Sequence, residues 1–259
     1  MPEKFISRPI IKFADGKNEQ VTDLVVREFP LTLFVNEIEI ATVVCTPNDL
    51  RELGVGFLLS EGLIFRSNDI IDMECQEREG LLNVRISSSI KSTDSFLRRN
   101  IASCCGKGRA GLYFINDARQ VKAVDSSGIF QLEFLREQMA ALERKSEIFK
   151  LTGGVHSAAL AGKSLLLMYD DIGRHNAVDK VFGAMILQNI NTDNKCLILS
   201  GRVSSEIVIK AARANIPLIL SRAAPTDLAI DLAEELGISL IGFVRENKLN
   251  IYSHSERVR

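Results

Sequence analysis

The second half of the chain alternates between short apolar segments and longer amphipathic segments, and this alternation restricts the fold more than any other feature. Strand-like segments lie at 163–169, 195–200, 217–221, 238–244 and 248–253, and helix-like segments lie at 174–189, 203–214 and 225–237. Such alternation predicts a mostly parallel sheet with helices on both faces. In open sheets of this class, ligands bind beyond the carboxyl ends of the strands.

The first half of the chain has a different pattern of short β-like segments. Residues 20–45 show an alternating pattern, in which apolar side chains recur at every second position. Leu31, Leu33 and Val35 precede Asn36, and Ile38 and Ile40 follow it, which predicts a strand pair that turns near Asn36. Thr46 and Pro47 predict a helix start, with Thr46 as the cap and Pro47 at the first helical position. We therefore predict an α/β protein with a smaller β-rich α+β N-terminal domain over residues 1–128 and an α/β domain over residues 129–259. A long helix is predicted at about 129–149 in the second domain.

Composition excludes several classes of protein. Lys and Arg number 32 against 33 Asp and Glu, so a net charge of −1 argues against general nucleic-acid binding. A hydrophobic fraction of 46% argues against disorder. No stretch approaches the roughly 20 apolar residues of a membrane helix. The charged N-terminus lacks the apolar region of a secretory signal, so we expect a cytoplasmic protein and no membrane partner.

Three of the five cysteines are expected to be structural. Cys45 and Cys196 lie inside apolar segments and are predicted to pack in the core, and Cys75 is assigned the same role. An odd number of cysteines in a reducing compartment argues against a disulfide framework. No pair has C-x-x-C spacing, and the three histidines complete no zinc signature, so no metal site is predicted.

The other two cysteines, Cys104 and Cys105, lie in a glycine-rich cationic segment at about 89–111. Lys107 and Arg109 would stabilise a thiolate and lower its pKa. Flanking glycines would let the segment move the sulfur between two places. This pattern favours a reactive cysteine over an exposed loop that merely tolerates one.

Four polar segments combine glycine or other small residues with an arginine or histidine at the predicted strand ends. Backbone N–H groups at helix starts together with arginine suit an anionic ligand. The candidate ligand-binding residues are Thr152, Gly153, Gly154, His156, Arg174, His175, Asn176, Gly201, Arg202, Ser204, Ser221, Arg222 and Thr226. Asp170 and Asp171 could form a carboxylate pair for acid–base catalysis. We favour the interpretation that they orient Arg174 or cap the helix.

Long motifs in this order resemble the formate dehydrogenase accessory sulfurtransferases, the FdhD/NarQ family. They are TPNDLRELGVGFLLSEGLI (46–64), TGGVHSA (152–158), DDIGRHNAVDKVFG (170–183) and the segment 200–243, together with the Cys-Gly segment. The resemblance implies a homodimer whose larger domain has a cytidine-deaminase-like three-layer α/β/α fold without the zinc. It also implies transfer of persulfide sulfur from a cysteine desulfurase to the Mo-bis(molybdopterin guanine dinucleotide) cofactor required by formate dehydrogenase. A GDP-like nucleotide would mimic this ligand.

The resemblance assigns the sulfur-carrying role to a cysteine in a C-G-x-C-G motif. Aligning Cys105 with the first cysteine places Gly108 at the second, whereas aligning Cys104 places Lys107 there. We prefer Cys105, with Cys104 as the alternative, and in either register the second cysteine is missing. The resemblance also implies that a C-terminal segment contacts the cofactor, although the same residues could be a plain hairpin loop. These residues are Phe243, Val244, Arg245, Glu246, Asn247 and Lys248.

Two other classes of function stay open at the level of sequence. A binding chaperone would shelter the guanine dinucleotide cofactor at the strand ends without needing Cys105. A thiol redox sensor would need a reactive cysteine but not the arginine-rich segments.

Overall fold

The computed structural model describes residues 3–88 and 121–259. Its first element is a long antiparallel hairpin of β1 (Phe5–Ala14) and β2 (Lys17–Val26), which forms a two-stranded sheet. None of the twenty residues of these strands is buried. Because no face of this hairpin is fully apolar or fully polar, its sequence lacks the alternation that identifies half-buried strands.

A four-stranded sheet follows, in the order β4-β3-β6-β5. Its strands are β3 (Phe29–Val35), β4 (Ile38–Cys45), β5 (Ile70–Gln76) and β6 (Leu81–Ile86). The predicted strand pair is confirmed, and its turn falls at Asn36 and Glu37, which both have positive φ angles. Two consecutive residues of this conformation match the twist of a β-hairpin.

The first helix, α1 (Leu50–Ser60), begins three residues later than the sequence predicted. The prediction of Thr46 as its cap and Pro47 as its first residue is wrong. Asp49, in a left-handed conformation, precedes the helix, and the Thr46 hydroxyl instead donates to the Asp171 carboxylate at 2.9 Å. The cap-like motif therefore belongs to a tertiary contact, which a local pattern cannot reveal.

The largest sheet has six strands in the order β12-β11-β10-β9-β7-β8. They are β7 (His156–Ala161), β8 (Leu165–Asp171), β9 (Cys196–Leu199), β10 (Leu218–Ser221), β11 (Ser239–Gly242) and β12 (Asn250–Ser253). Only the β9/β10 and β10/β11 pairings are parallel, so the prediction of a mostly parallel sheet is wrong. A three-residue turn rather than a crossover helix joins β7 to β8, which makes that pair antiparallel.

Helices cover both faces of this sheet, as predicted. One face carries α2 (Leu132–Lys145), whose Leu135, Met139 and Leu142 pack against β-strand side chains such as Ile198. The other face carries α4 (Arg174–Leu187), α5 (Ser205–Arg213) and α6 (Asp227–Glu235). The single helix predicted at 129–149 is interrupted at Ser146, after which α3 (Glu147–Thr152) begins. Gly237 follows α6 with a φ of 68°, a left-handed conformation in which glycine commonly ends a helix.

A single hydrophobic core joins the two larger sheets through the pair of helices α1 and α4. Leu33 of the four-stranded sheet, Leu58 of α1, Phe182 of α4 and Leu197 of the six-stranded sheet belong to one cluster of buried side chains. The two helices approach closely, because Gly56 of α1 faces the Asp179 carbonyl of α4. The core is thus continuous across the proposed domain boundary.

Two of the three cysteines assigned to the core are fully buried. Cys45 and Cys196 are 0% exposed, and burial raises the pKa of each thiol to about 12. Cys75 is only partly buried, although burial again raises its pKa. Within residues 3–88 and 121–259, no helix combines the length and apolar character of a membrane span.

Candidate functional site

The structure brings the polar segments predicted from the sequence to one edge of the six-stranded sheet. The carboxyl ends of β9, β10 and β11 lie at this edge because these strands are parallel. The start of β7 and the end of β8 lie there too, since His156 pairs with Asp171 and β7 runs antiparallel to β9. We call residues 152–156, 170–176, 200–205, 221–226 and 243–248 the polar edge.

A small recess lies near the middle of the polar edge. Arg174, Gly201 and Arg202 line it together with Ser157, Leu199 and Ile207. A side chain at Gly201 would place its Cβ 3.2 Å from His156 Nδ1 and 3.7 Å from Arg174 Cβ. Glycine at this position therefore permits the close approach of three segments that are far apart in the sequence.

Among the residues that the structure describes, three buried polar atoms of the polar edge have no hydrogen-bond partner. They are Arg174 Nε, His175 Nδ1 and Ser204 Oγ. Arg174 is the first residue of α4, and Ser204 is the residue that precedes α5. Buried polar groups in proteins are almost always paired, so unpaired atoms beside two helix N-termini indicate where an anionic ligand would bind.

Both histidines of the polar edge are neutral near pH 7. Burial, reinforced by Lys210, Arg174 and His156, lowers the pKa of His175 to about 3. Burial and Arg174 also lower the pKa of His156, against a weaker opposing effect of Asp171. A neutral imidazole can donate or accept a hydrogen bond, so these side chains suit recognition of a ligand rather than charge neutralisation.

We expect His175 to make the protein less stable as the solution is acidified. Its folded-state pKa of about 3 lies below the ordinary value of 6.5, so between these values the unfolded chain binds more protons and the free energy of unfolding falls as pH falls. Denaturant unfolding of the wild type and His175→Gln near neutral pH and at about pH 5 measures this effect. The wild type should lose more stability on acidification, and equal losses would contradict the assignment.

Two arginines of the polar edge are engaged within the protein. Arg222 forms an ion pair with Glu143 of α2 and donates from Nη1 to the Val244 carbonyl at 3.1 Å. Arg245 donates from Nη1 to the Arg222 carbonyl at 2.6 Å and to the Val244 carbonyl at 2.8 Å. These bonds cross-link segments 221–226 and 243–248. Arg174 and Arg202 are therefore better placed than Arg222 to meet a phosphate.

The other residues predicted in the segment 243–248 differ in exposure. Phe243 is 41% exposed and has a φ of 53°, a conformation that costs energy for a bulky residue and that is often found at functional sites. Val244 is buried, whereas Glu246, Asn247 and Lys248 are exposed. The segment connects two strands of the sheet, so it is a hairpin loop that also lies on the polar edge.

Several predicted ligand-binding residues serve the local fold. Thr152 donates to the Ile148 carbonyl at 2.7 Å, and the Gly154 amide donates to the Thr152 hydroxyl at 3.2 Å. Gly153, with a φ of 65°, ends α3. Thr226 precedes α6, and its amide donates to the Val203 carbonyl.

Two further predicted residues are hydrogen-bonded within the protein. The Ser221 hydroxyl donates to the Gly201 carbonyl at 2.7 Å. Asn176 Nδ2 donates to the Val44 carbonyl and to Asp171 Oδ1, both at 2.9 Å, so both N–H groups of its amide are in use. Binding of the ligand by these two side chains stays a prediction.

The two neighbouring aspartates have different roles. Asp171 is fully buried beside Lys180, with 2.8 Å between Oδ2 and Nζ, and it accepts the Gly173 amide at the start of α4. Asp170 instead accepts a hydrogen bond from the Ser146 hydroxyl at 3.0 Å. These contacts agree with the capping interpretation. Sequence reasoning missed Lys180, because a lysine in a helical segment is usually exposed, whereas residues 176–186 of α4 are all buried.

Cys104 and Cys105 lie outside the residues that the structure describes. Their predicted role therefore has to rest on sequence and on relatives. Within 3–88 and 121–259, no group of three or more His, Cys, Asp or Glu side chains is placed to hold a metal ion.

Comparison with known proteins relates this geometry to a family. The model of the FdhD/NarQ family matches residues 26–259. The sulfur carrier protein FdhD of Staphylococcus aureus (strain MRSA252) is 43% identical over 255 residues, covering 98% of this chain and 96% of the relative. The sulfur carrier protein FdhD of Staphylococcus haemolyticus is 44% identical over 252 residues, covering 96% of this chain and 95% of the relative.

A solved structure shows the same fold. It is a crystal structure from Desulfotalea psychrophila of a protein described as a formate dehydrogenase accessory protein. This structure aligns with a TM-score of 0.82 and 24% identity over 99% of this chain and 100% of that chain. The family model and the curated relatives extend over almost all of the sequence. The chain therefore belongs to the FdhD/NarQ family.

Proposed function

We propose that this protein is a sulfurtransferase that passes persulfide sulfur from a cysteine desulfurase to the Mo-bis(molybdopterin guanine dinucleotide) cofactor of formate dehydrogenase. Relatives named sulfur carrier proteins match 98% of the chain, which supports the sulfur-carrying part. The observation that supports the cofactor part is the group of three unpaired buried polar atoms on the polar edge. The cofactor is the cargo here, and its phosphates supply the negative charge that this edge would recognise.

The polar edge is wide enough for an extended nucleotide. Arg202 follows β9 and Phe243 follows β11, two positions away in the sheet. Adjacent strands are about 4.8 Å apart, so these segments begin roughly 10 Å from each other. In this proposal, Arg174 and Arg202 bind phosphate, His156 and His175 donate or accept hydrogen bonds, and residues 243–248 contact the remainder of the ligand.

The first chemical step forms a persulfide on Cys105. The Cys105 thiolate attacks the outer sulfur of the desulfurase persulfide, a new S–S bond forms, and the desulfurase cysteine leaves as a thiolate. This exchange is redox-neutral. Release of the carried sulfur as hydrosulfide needs two electrons, which we assign to an external thiol. That thiol attacks the inner sulfur of the Cys105 persulfide, leaves a mixed disulfide, and frees hydrosulfide for the metal.

Incubation with a cysteine desulfurase and cysteine tests the carrier role directly. Intact-mass spectrometry should show one added sulfur atom on the wild-type chain, and treatment with a thiol reductant should remove it. Absence of the adduct while the desulfurase is itself persulfidated would contradict the proposal.

We expect Arg174→Ala to weaken binding of GDP, used here as a mimic of the cofactor's guanine nucleotide. A hydrogen bond to a charged group contributes about 1.5–3 kcal/mol, so the dissociation constant should rise roughly tenfold or more. Isothermal titration calorimetry measures the change. Arg85→Ala is the matched control, because Arg85 is exposed on the four-stranded sheet and pairs with the exposed Asp72 there. Equal affinity of both variants would contradict the placement of the phosphate.

The resemblance also supports three proposals about domain organisation, fold, and location and assembly. They are a division into domains 1–128 and 129–259, a cytidine-deaminase-like arrangement of the second domain, and a cytoplasmic homodimer. Helices on both faces of the six-stranded sheet are consistent with the second of these. Light scattering on the purified chain would test the dimer.

A further inference from the structure

A buried ionic cluster connects the segment between β4 and α1 to the start of α4, and the proposed chemistry does not use it. Its centre is Asp171, which is 0% exposed. One carboxylate oxygen, Oδ2, accepts hydrogen bonds from the Thr46 amide at 3.0 Å, the Thr46 hydroxyl at 2.9 Å and Lys180 Nζ at 2.8 Å. Buried charges persist only when they are paired and hydrogen-bonded, and this oxygen meets both conditions.

Lys180 completes the cluster from two turns along α4. It is 0% exposed, and its ammonium group donates to the Thr46 hydroxyl at 2.7 Å, to Asp171 Oδ2 and to the Asp170 carbonyl at 3.2 Å. Each of the three N–H groups of the Lys180 ammonium therefore has an acceptor. Thr46 lies in the TPND motif, so this motif joins the four-stranded sheet to the polar edge.

The second oxygen of Asp171 faces the first turn of α4. Oδ1 accepts the Gly173 amide and Asn176 Nδ2, both at 2.9 Å. These two donors lie on either side of Arg174 and His175 in the sequence. The carboxylate therefore fixes the backbone of the turn that presents the unpaired Arg174 Nε and His175 Nδ1 atoms.

We propose that Asp171, Lys180 and Thr46 are positioning residues that hold the turn 173–176 in the orientation needed to bind the ligand phosphate. This inference rests on the proposed function for the identity of the ligand. Thr46 and Lys180 donate to one carboxylate oxygen of Asp171 and so fix its position. The other oxygen accepts hydrogen bonds from Gly173 and Asn176 of the turn. Loss of any of the three side chains should loosen the turn without removing a group that contacts the ligand.

Two variants of different severity test this role in the full chain. Asp171→Asn replaces one acceptor oxygen by an NH₂ group that must face either Lys180 or the Gly173 amide. Thr46→Val keeps the shape and removes only the hydroxyl, which makes it the informative variant if Asp171→Asn does not fold. Val84→Ala is the control, because Val84 is buried in β6 away from the polar edge and its truncation destabilises the protein by a different route.

The measurements are GDP affinity and amide hydrogen exchange. We expect Thr46→Val to weaken GDP binding about threefold to tenfold and Asp171→Asn by more than about tenfold. Exchange in the peptide covering residues 172–178 should be faster in both variants, and Val84→Ala should leave affinity and local exchange unchanged. Wild-type affinity in a folded Asp171→Asn or Thr46→Val variant would overturn the inference. If the wild type itself does not bind GDP, the proposed ligand is wrong, and exchange at 172–178 alone then decides the positioning role.

Discussion

Cys105→Ala is expected to abolish the sulfur adduct and the maturation of formate dehydrogenase. No other atom of the proposed mechanism can carry the persulfide, so the effect should be a complete loss rather than a fractional one. Intact-mass spectrometry after incubation with a cysteine desulfurase measures the adduct. Formate dehydrogenase activity in cells that lack their own carrier measures the maturation. Cys75→Ala is the control, because Cys75 lies in β5 and its pKa is raised by burial.

Two further cysteine variants separate the alternatives left open by the sequence. Cys104→Ala should keep the adduct if Cys105 carries the sulfur, and loss of the adduct in Cys104→Ala alone would assign the role to Cys104. A Cys105→Ser variant that still activates formate dehydrogenase would favour a binding chaperone for the cofactor over a sulfur carrier. Oxidation of Cys105 by peroxide without any sulfur transfer would favour a redox sensor.

Gly183→Ala is expected to prevent stable folding. An added Cβ would overlap the Glu52 carbonyl of α1 and lie 2.8 Å from the Gly56 amide nitrogen. Both obstructing groups are helical backbone, so neither can move aside as a flexible side chain could. Forcing the two helices apart would open the shared core, and we expect a loss of more than about 4 kcal/mol in the free energy of unfolding. Thermal unfolding and the yield of soluble protein measure this change.

Gly162→Ala provides the matched control for this substitution. The nearest atom to a Cβ at Gly162 is Leu166 Cδ1 at 3.5 Å, which is an ordinary van der Waals distance. The same chemical change should therefore shift stability by less than about 1 kcal/mol at this position. A Gly183→Ala protein that unfolds at the temperature of Gly162→Ala would show that the close helix contact is not required.

The sequence predicted most elements of the second half of the chain but not the directions of the strands. Segments such as 195–200 and 217–221 are apolar and short, and these properties do not distinguish parallel from antiparallel pairing. Strand β7 was not predicted, because its segment Ser157–Ala161 is rich in alanine, which has a low preference for strands. The start of α1 was predicted too early. A threonine that hydrogen-bonds to the distant Asp171 looks the same in the sequence as a threonine that caps a helix.

The predicted polar segments do lie at one edge of the six-stranded sheet, whereas the sequence was less informative about individual side chains. Ligand binding by these residues stays a prediction. Strand order alone brings Arg174, Gly201 and Arg222 to one edge, which residue patterns can anticipate. Distant residues determine which polar side chains of the edge already have a partner. Arg222, for example, pairs with Glu143, and Asn176 donates to the Val44 carbonyl. The sequence contains no local sign of either contact.

The close packing of α1 on α4 also limits how the chain can be divided. Leu53 and Leu58 of α1 and Val178 and Phe182 of α4 are all 0% exposed within the shared core. A fragment starting at residue 129 would leave this side of α4 open to water, and exposed apolar surfaces of that kind promote aggregation. We therefore expect the two halves to fold as one unit and the fragment 129–259 to be less soluble than the full chain.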